Sequence, residues 1–346
     1  MKLDRRKTIV ALVIAAALSA GAVGAVGEVA DYGKLVDAFR RADGSRLALC
    51  LVGELAAYAG YLLAYRTVAA VAGGPLLRYR DALRVVTLGF GAFLVGSAAG
   101  ALGVDFYAMK KAGATTREAA RRSLALNTLD GSGLMAFAFV AGVVLLVRGA
   151  SGTASSMALA WVCAVPAAVA GAAWVTSGAR GERFVRFPDD THGLRSKVRT
   201  GFAETIGGVV LVRQVVMHPV RYAGGVLGYP LFWLGDFFIL WMALYAFGVS
   251  LDPPALVVAE ATAWVLTLLP LPAGGSGAAE AAMTFTLHAV GVPLSHALSA
   301  AIVYRVVSFW LPVVPALLLV PQVRSLQRGL EASERAEPDP DVALPR

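Results

Sequence analysis

The stretch LTLLPLPAGGSGAAEAAMTF, residues 266–285, breaks an apolar run with two prolines and a glycine cluster, then sets a carboxylate, Glu280, straight after the break. Pro270 and Pro272 lack a backbone donor and terminate a helix. Gly274, Gly275 and Gly277 admit left-handed or tightly turned backbone. At membrane depth such backbone survives only where protein or a watered cavity satisfies its polar groups, so the motif predicts a cavity. A new helix is expected to start near Ala278, with Glu280 in its first turn. A carboxylate there suits the positive dipole end and the free N–H groups.

The rest of the chain places the motif at that depth. Of 346 residues, 58% are hydrophobic and 16% charged, and the mean hydropathy is +0.67, far from the soluble average. A bilayer core of about 30 Å needs about 20 helical residues per span. Apolar blocks of that order lie at about 8–27, 47–72, 123–147, 157–177, 222–247 and 298–320. Two more apolar regions, 85–104 and 255–291, are irregular; the first, LGFGAFLVGSAAGALGVDFY, is dense in glycine and leads to Asp105. The expected fold is an all-α polytopic membrane protein of about six full spans plus two glycine-rich re-entrant hairpins, candidate inverted repeats. It occupies 1–321, and the charged, proline-containing segment 322–346 is expected to be a disordered cytoplasmic tail. The block Thr8–Gly27 exceeds a signal-peptide core of about 7–15 residues and is expected to stay as the first span. Cys50 and Cys163 lie far apart in apolar blocks, which excludes a disulfide framework and a paired-cysteine metal site.

The net charge of +8 suits cytoplasmic loops better than nucleic acid. Lys2, Arg5, Arg6 and Lys7 place the N-terminus in the cytoplasm, and Arg78, Arg80 and Arg84 agree after two spans. The stretch 105–122 carries Lys110, Lys111, Arg117, Arg121 and Arg122. These stay inside only if 85–104 enters and returns to one side. The basic connection after 157–177 is cytoplasmic by the same rule, and 196–218 within it has Phe202, Ile206, Val209 and Val216 at helical spacing, which suggests a helix lying in the interface. Region 255–291 then starts outside, opposite to the first irregular region, and the C-terminus returns inside. The expected location is the cell membrane, with both termini cytoplasmic.

Opposite hairpins prompt a search for a repeat. An offset of 175 sets Asp105 on Glu280 and Gly100 on Gly275. An offset of 178 sets Gly113 on Gly291, Asn127 on Arg305 and Asp130 on Ser308. An ionisable group inside an apolar block is costly and by default functional, with a partner expected. For Glu280 the candidates are Arg305, in IVYRVVSFWLP, and His288, two turns along. The plainer alternative is that Glu280 caps its helix and pairs with Arg305 for structure alone. Glu54 shares one helical face with Tyr58, Tyr61 and Tyr65, either lining a polar path or anchoring at the interface. Asp236 lies among aromatic residues, where a structural hydrogen bond is the favoured role. Asn127 and Asp130 are either a site face or caps. No metal and no cofactor is expected.

The segment LPLPAGGSGAAEAAMTFTLHAVGVPLSHALSAAIVYRVVSFWLPVVP resembles the C-terminal signature of the lysylphosphatidylglycerol synthase transmembrane family, a flippase-like domain. Gly274, Gly275, Gly277, Glu280, Gly291, Pro293, Tyr304, Arg305, Phe309, Trp310 and Pro312 carry the likeness, which extends more weakly over about 8–322. Two departures stand out: Ala273 separates Pro272 from the glycine pair, and the first hairpin lacks the proline that relatives often carry. The resemblance implies movement of a lipid between leaflets, an aminoacylated phosphatidylglycerol or a polyprenyl-linked lipid. Relatives carry a soluble aminoacyl transferase after this domain; here the chain ends soon after the last span, so synthesis would belong to a partner enzyme. The expected substrate-binding set is Glu280, Arg305, Gly274, Gly275, Gly277, Asp105 and Asn127, with no catalytic residue. Two other functions compete: an accessory subunit of a glycosyltransferase or aminoacyl-lipid synthase, and an intramembrane enzyme using Glu280 and His288 as acid and base.

Overall fold

The computed structural model describes residues 5–177, 194–267 and 275–319. Pro270, Pro272, Gly274, the basic residues 180–193 and the expected tail 322–346 lie outside the described residues. The helices run α1 (Arg5–Ala30), α2 (Tyr32–Arg40), α3 (Gly44–Ala70), α4 (Tyr79–Lys111), α5 (Thr116–Val147), α6 (Gly152–Thr176), α7 (Leu194–Met217), α8 (Ala223–Ala246), α9 (Pro253–Thr267), α10 (Ala278–Ala289), α11 (Leu294–Arg305) and α12 (Leu311–Leu319). A π-helical turn, Val306–Trp310, joins the last two into one rod. Among the described residues, six segments are long and apolar enough to cross a membrane: Val13–Ala30, Gly44–Gly73, Thr116–Val147, Gly152–Thr176, Ala223–Ala246 and Leu294–Leu319. The protein is an all-α polytopic membrane protein, as its apolar blocks dictate.

The centre of the bundle is the pair α3 and α8. A Cβ on Gly53 would lie 2.7 Å from the carbonyl oxygen of Gly235, and one on Gly235 would lie 2.5 Å from that of Gly53. Seven residues further along α3, Gly60 meets Gly228, seven residues back along α8. The helices are therefore antiparallel, with backbones nearly touching at glycines, the contact that small residues permit where lipid supplies no hydrophobic drive. Their ends are tied as well: the Asp43 N–H donates to the Ala246 carbonyl at 2.9 Å and Arg46 Nη1 to the Tyr245 carbonyl at 2.6 Å. Asp43 also caps α3, and the Ser45 hydroxyl donating to its carboxylate, joined by the Ser45 and Arg46 N–H groups, holds that carboxyl below its ordinary range.

Helix α5 docks on this pair through aromatic donors on α8. The Tyr229 hydroxyl donates to the Leu126 carbonyl at 2.9 Å and Trp233 Nε1 to that of Asp130 at 3.0 Å. The helix starts earlier than the apolar block, at Thr116, because Thr115 and Glu118 form a reciprocal capping box. That extra turn carries Arg122 inward. Its Nη1 donates to the carbonyls of Val68, Ala69 and Val71 at 3.2, 2.8 and 2.6 Å, satisfying the acceptors that the end of α3 leaves open. Arg117 and Arg121 instead reach Glu204 on α7, at 3.2 and 2.6 Å. Helix α7 buries Ala203, Ile206, Val212 and Val215 while Phe202 and Val216 are exposed. The apolar side expected from Phe202, Ile206, Val209 and Val216 is thus split between the two faces.

The first irregular region is continuous helix by backbone pattern, yet its path is bent. The Ala92 carbonyl lies against Gly100, although eight residues of straight helix would separate them by about 12 Å. Ala82 near its start and Ala108 and Met109 near its end join one apolar cluster with Val71, Leu77 and Ala114. The second region is the pair α9 and α10. Val290, just past the end of α10, packs on the same apolar cluster as Leu251, just before α9, and Val257 in its second turn. With 15 and 12 residues, these helices extend about 22 and 18 Å, each short of a bilayer core.

Candidate functional site

Glu280 stands where the opening motif places it. It is the third residue of α10, 3% exposed, and its Oε2 accepts from the Gly277 N–H at 2.7 Å. Gly277 has φ +86°, and a Cβ there would lie 2.7 Å from the Leu18 carbonyl oxygen of α1. Glycine is required twice over, by the turn and by the close approach of the first span. Gly275 has φ +73°. The other carboxylate oxygen accepts from Ser19 Oγ at 2.7 Å and faces Arg305 Nε at 3.5 Å. Arg305 lies at the end of α11, with its guanidinium carbon 3.8 Å from the centre of the Phe309 ring. The first span, the start of α10 and the last span are thus locked by one carboxylate.

This pair borders a cavity of about 240 Å³ walled by both halves of the chain. The first half supplies Glu54, Tyr58 and Tyr61 from α3, Asp105 from α4, and Asn127 and Asp130 from α5. The second supplies Asp236 from α8, Glu260 from α9, Glu280 from α10, Tyr304 and Arg305 from α11, and Ser308. Both sides of the bend in α4 reach the wall, with Phe90 and Phe93 before it and Ala101 and Asp105 after it. Six carboxyl groups therefore face one guanidinium among the described lining residues. Glu54, Asp105, Asp236, Glu260 and Glu280 are between 1% and 8% exposed. The Tyr304 hydroxyl donates to Asp236 Oδ2 at 2.7 Å, while no hydrogen bond reaches either oxygen of Glu260. Among the described residues no group of three His, Cys, Asp or Glu is arranged to hold a metal.

The structure brings Glu280, Arg305, Asp105 and Asn127 to this one wall, the last with its Nδ2 donating back to the Ser123 carbonyl at 3.2 Å. Gly275 and Gly277 shape the turn behind it and are not among the lining residues. Gly274 lies outside the described residues. His288 is not Glu280's partner: its ring bonds the Val292 carbonyl at 2.9 Å and closes the far end of α10. Asp236 makes the expected hydrogen bond but also lines the cavity. Glu54 lines the cavity, with Tyr58 and Tyr61 beside it, whereas the fully buried Tyr65 is not among the lining residues. The residue missed was Glu260. Its signal was on the page, a lone carboxylate inside PPALVVAEATAWVLT, the same anomaly that drew attention to Glu280.

Residues 9–316 match the family described as the lysylphosphatidylglycerol synthase TM region. The chain belongs to this family. The match runs from α1 into α12 and so includes both bent regions and every residue of the cavity wall. None of the curated proteins matches the chain. Membership in the lysylphosphatidylglycerol synthase transmembrane family marks a membrane-embedded, lipid-associated protein and agrees with the likeness carried by Glu280, Tyr304 and Arg305.

Proposed function

We propose that this protein moves a phospholipid between the leaflets of the cell membrane, passing a headgroup that bears a primary amine through the acidic cavity while the acyl chains stay in the bilayer. The observation that carries the proposal is the wall itself, six carboxyl groups and one guanidinium within a bundle of apolar spans. Charged side chains at such depth are costly and are kept where a ligand pathway needs them. Six carboxyl groups against one guanidinium favour an aminoacylated phosphatidylglycerol over a polyprenyl diphosphate, whose headgroup is anionic. In this account Arg305 faces the lipid phosphate, Glu280 orients Arg305, and Asp105, Asn127, Asp236 and Glu260 face the amine. Gly275 and Gly277 set the turn that aims Glu280.

In the same account α4 and the pair α9 and α10 are two re-entrant hairpins from opposite sides. The contact of Ala92 with Gly100 and the short lengths of α9 and α10 support it. The inverted repeat gains support from the wall, since Asp105, Asn127 and Asp130 and their counterparts Glu280, Arg305 and Ser308 all face one cavity. The basic ends of α4 and α5 then lie in the cytoplasm with both termini. In this account the protein acts as a transporter, not an enzyme, alongside a partner synthase.

The test uses purified protein in liposomes with lysyl-phosphatidylglycerol labelled on an acyl chain. Glu280→Gln and Arg305→Ala are each expected to slow its movement at least about tenfold, the rate equivalent of about 1.4 kcal/mol. Equal rates in wild type and both variants would remove these residues from the mechanism.

A further inference from the structure

Beside the Glu280–Arg305 pair lies a second group whose hydrogen bonding does not close. Glu260 is 1% exposed and Asp236 7% exposed, and both line the same cavity. Neither Glu260 oxygen receives a hydrogen bond, and the single proton of the Tyr304 hydroxyl goes to Asp236 Oδ2 at 2.7 Å. Two buried carboxyl groups on one wall, with the Tyr304 hydroxyl the one donor beside them among the described contacts, are relieved by a bound proton, because burial and a neighbouring like charge both oppose a second negative charge. The groups facing them do not change this. Glu54 comes from α3, Asp130 from α5 and Glu280 from α10, all acidic, while the nearby cation Arg305 is engaged by Glu280 and lies on Phe309.

We infer that Asp236 and Glu260 form a proton-binding site in the cavity wall, and that an ammonium group entering the cavity displaces this proton. Lipid movement is then an exchange of a cationic headgroup for H⁺. The inference rests on the reading of the cavity as a headgroup passage. The charge account explains the exchange. An empty cavity with several acidic groups and one guanidinium is relieved by protons, and a filled one by the amine, so the two compete for the same negative charge. No bond other than that to the proton is made or broken.

The experiment uses the purified full chain in weakly buffered bicelles of phosphatidylglycerol, with and without lysyl-phosphatidylglycerol. Proton release and the infrared stretch of protonated carboxyl groups are both recorded. Wild type is expected to release about one proton per lipid bound, with a matching loss of the carboxyl band. Glu260→Gln, which keeps the shape of the side chain, is expected to release none and to start with a weaker band. If that variant does not fold, Asp236→Asn is read in its place. Lipid binding by wild type without proton release, or equal release by the variant, overturns the exchange. If wild type binds no lipid, the headgroup reading falls instead, and the proton site stands or falls on whether either substitution weakens the band.

Discussion

Glu280→Gln probes how firmly one carboxylate locks three elements together. The native side chain accepts from the Gly277 N–H and Ser19 Oγ, each at 2.7 Å, and faces Arg305 at 3.5 Å. An amide has one acceptor oxygen, so its NH₂ must point either at the Gly277 N–H or at Ser19 and Arg305. One buried bond lost against a donor costs about 1–3 kcal/mol. Stripping a buried cation of its partner costs about 3–5 kcal/mol, but Asp236 and Tyr304 remain near Arg305 and lower that figure. The expected loss is therefore about 2–4 kcal/mol, read by tryptophan fluorescence during unfolding in mixed detergent micelles. Combining it with Arg305→Gln removes the orphaned charge, so the double variant should be more stable than the sum of the singles by at least about 1 kcal/mol. A single variant within about 0.5 kcal/mol of wild type, or strictly additive losses, would refute the locking role.

Further outcomes follow from the packing. Gly235→Ala drives a methyl into the backbone of α3 and should cost about 2–3 kcal/mol, whereas Gly131→Ala meets nothing within 4 Å and should be neutral or stabilising by up to about 1 kcal/mol. Equal effects in the same unfolding assay would contradict the α3 and α8 crossing. Arg122→Leu leaves three carbonyls at the end of α3 without their donor and should lower stability by about 2–4 kcal/mol. A loss under about 0.5 kcal/mol would show that water or lipid replaces it. An apolar maleimide in detergent should label the exposed Cys163 and spare the buried Cys50, scored by mass spectrometry of Cys→Ser variants. Comparable labelling of both would mean that α3 is open to the reagent.

The spans were legible because a bilayer imposes length and hydropathy directly on sequence, and the six apolar blocks match six helices to within a few residues at most ends. The exception is α5, which begins at Thr116 because capping chemistry, invisible to hydropathy, extends it through basic residues. At the site, Glu280 with Arg305 was legible because an ionisable residue after a glycine break has few explanations. The gathering of Glu54, Asp130, Asp236 and Glu260 with them was not, since it depends on how four separate helices pack. His288 misled for a related reason. Spacing along α10 places it on an accessible turn, but the Val292 carbonyl just past the helix end takes its ring.

The most direct test of headgroup passage compares two lipids that differ by one amino acid. Acyl-labelled lysyl-phosphatidylglycerol and phosphatidylglycerol are loaded into liposomes with purified wild-type protein, and their exchange between leaflets is followed side by side. An acidic cavity predicts that the lysyl lipid moves at least about tenfold faster, a difference of about 1.4 kcal/mol in the barrier. Equal rates for both lipids, or none above protein-free liposomes, would contradict it.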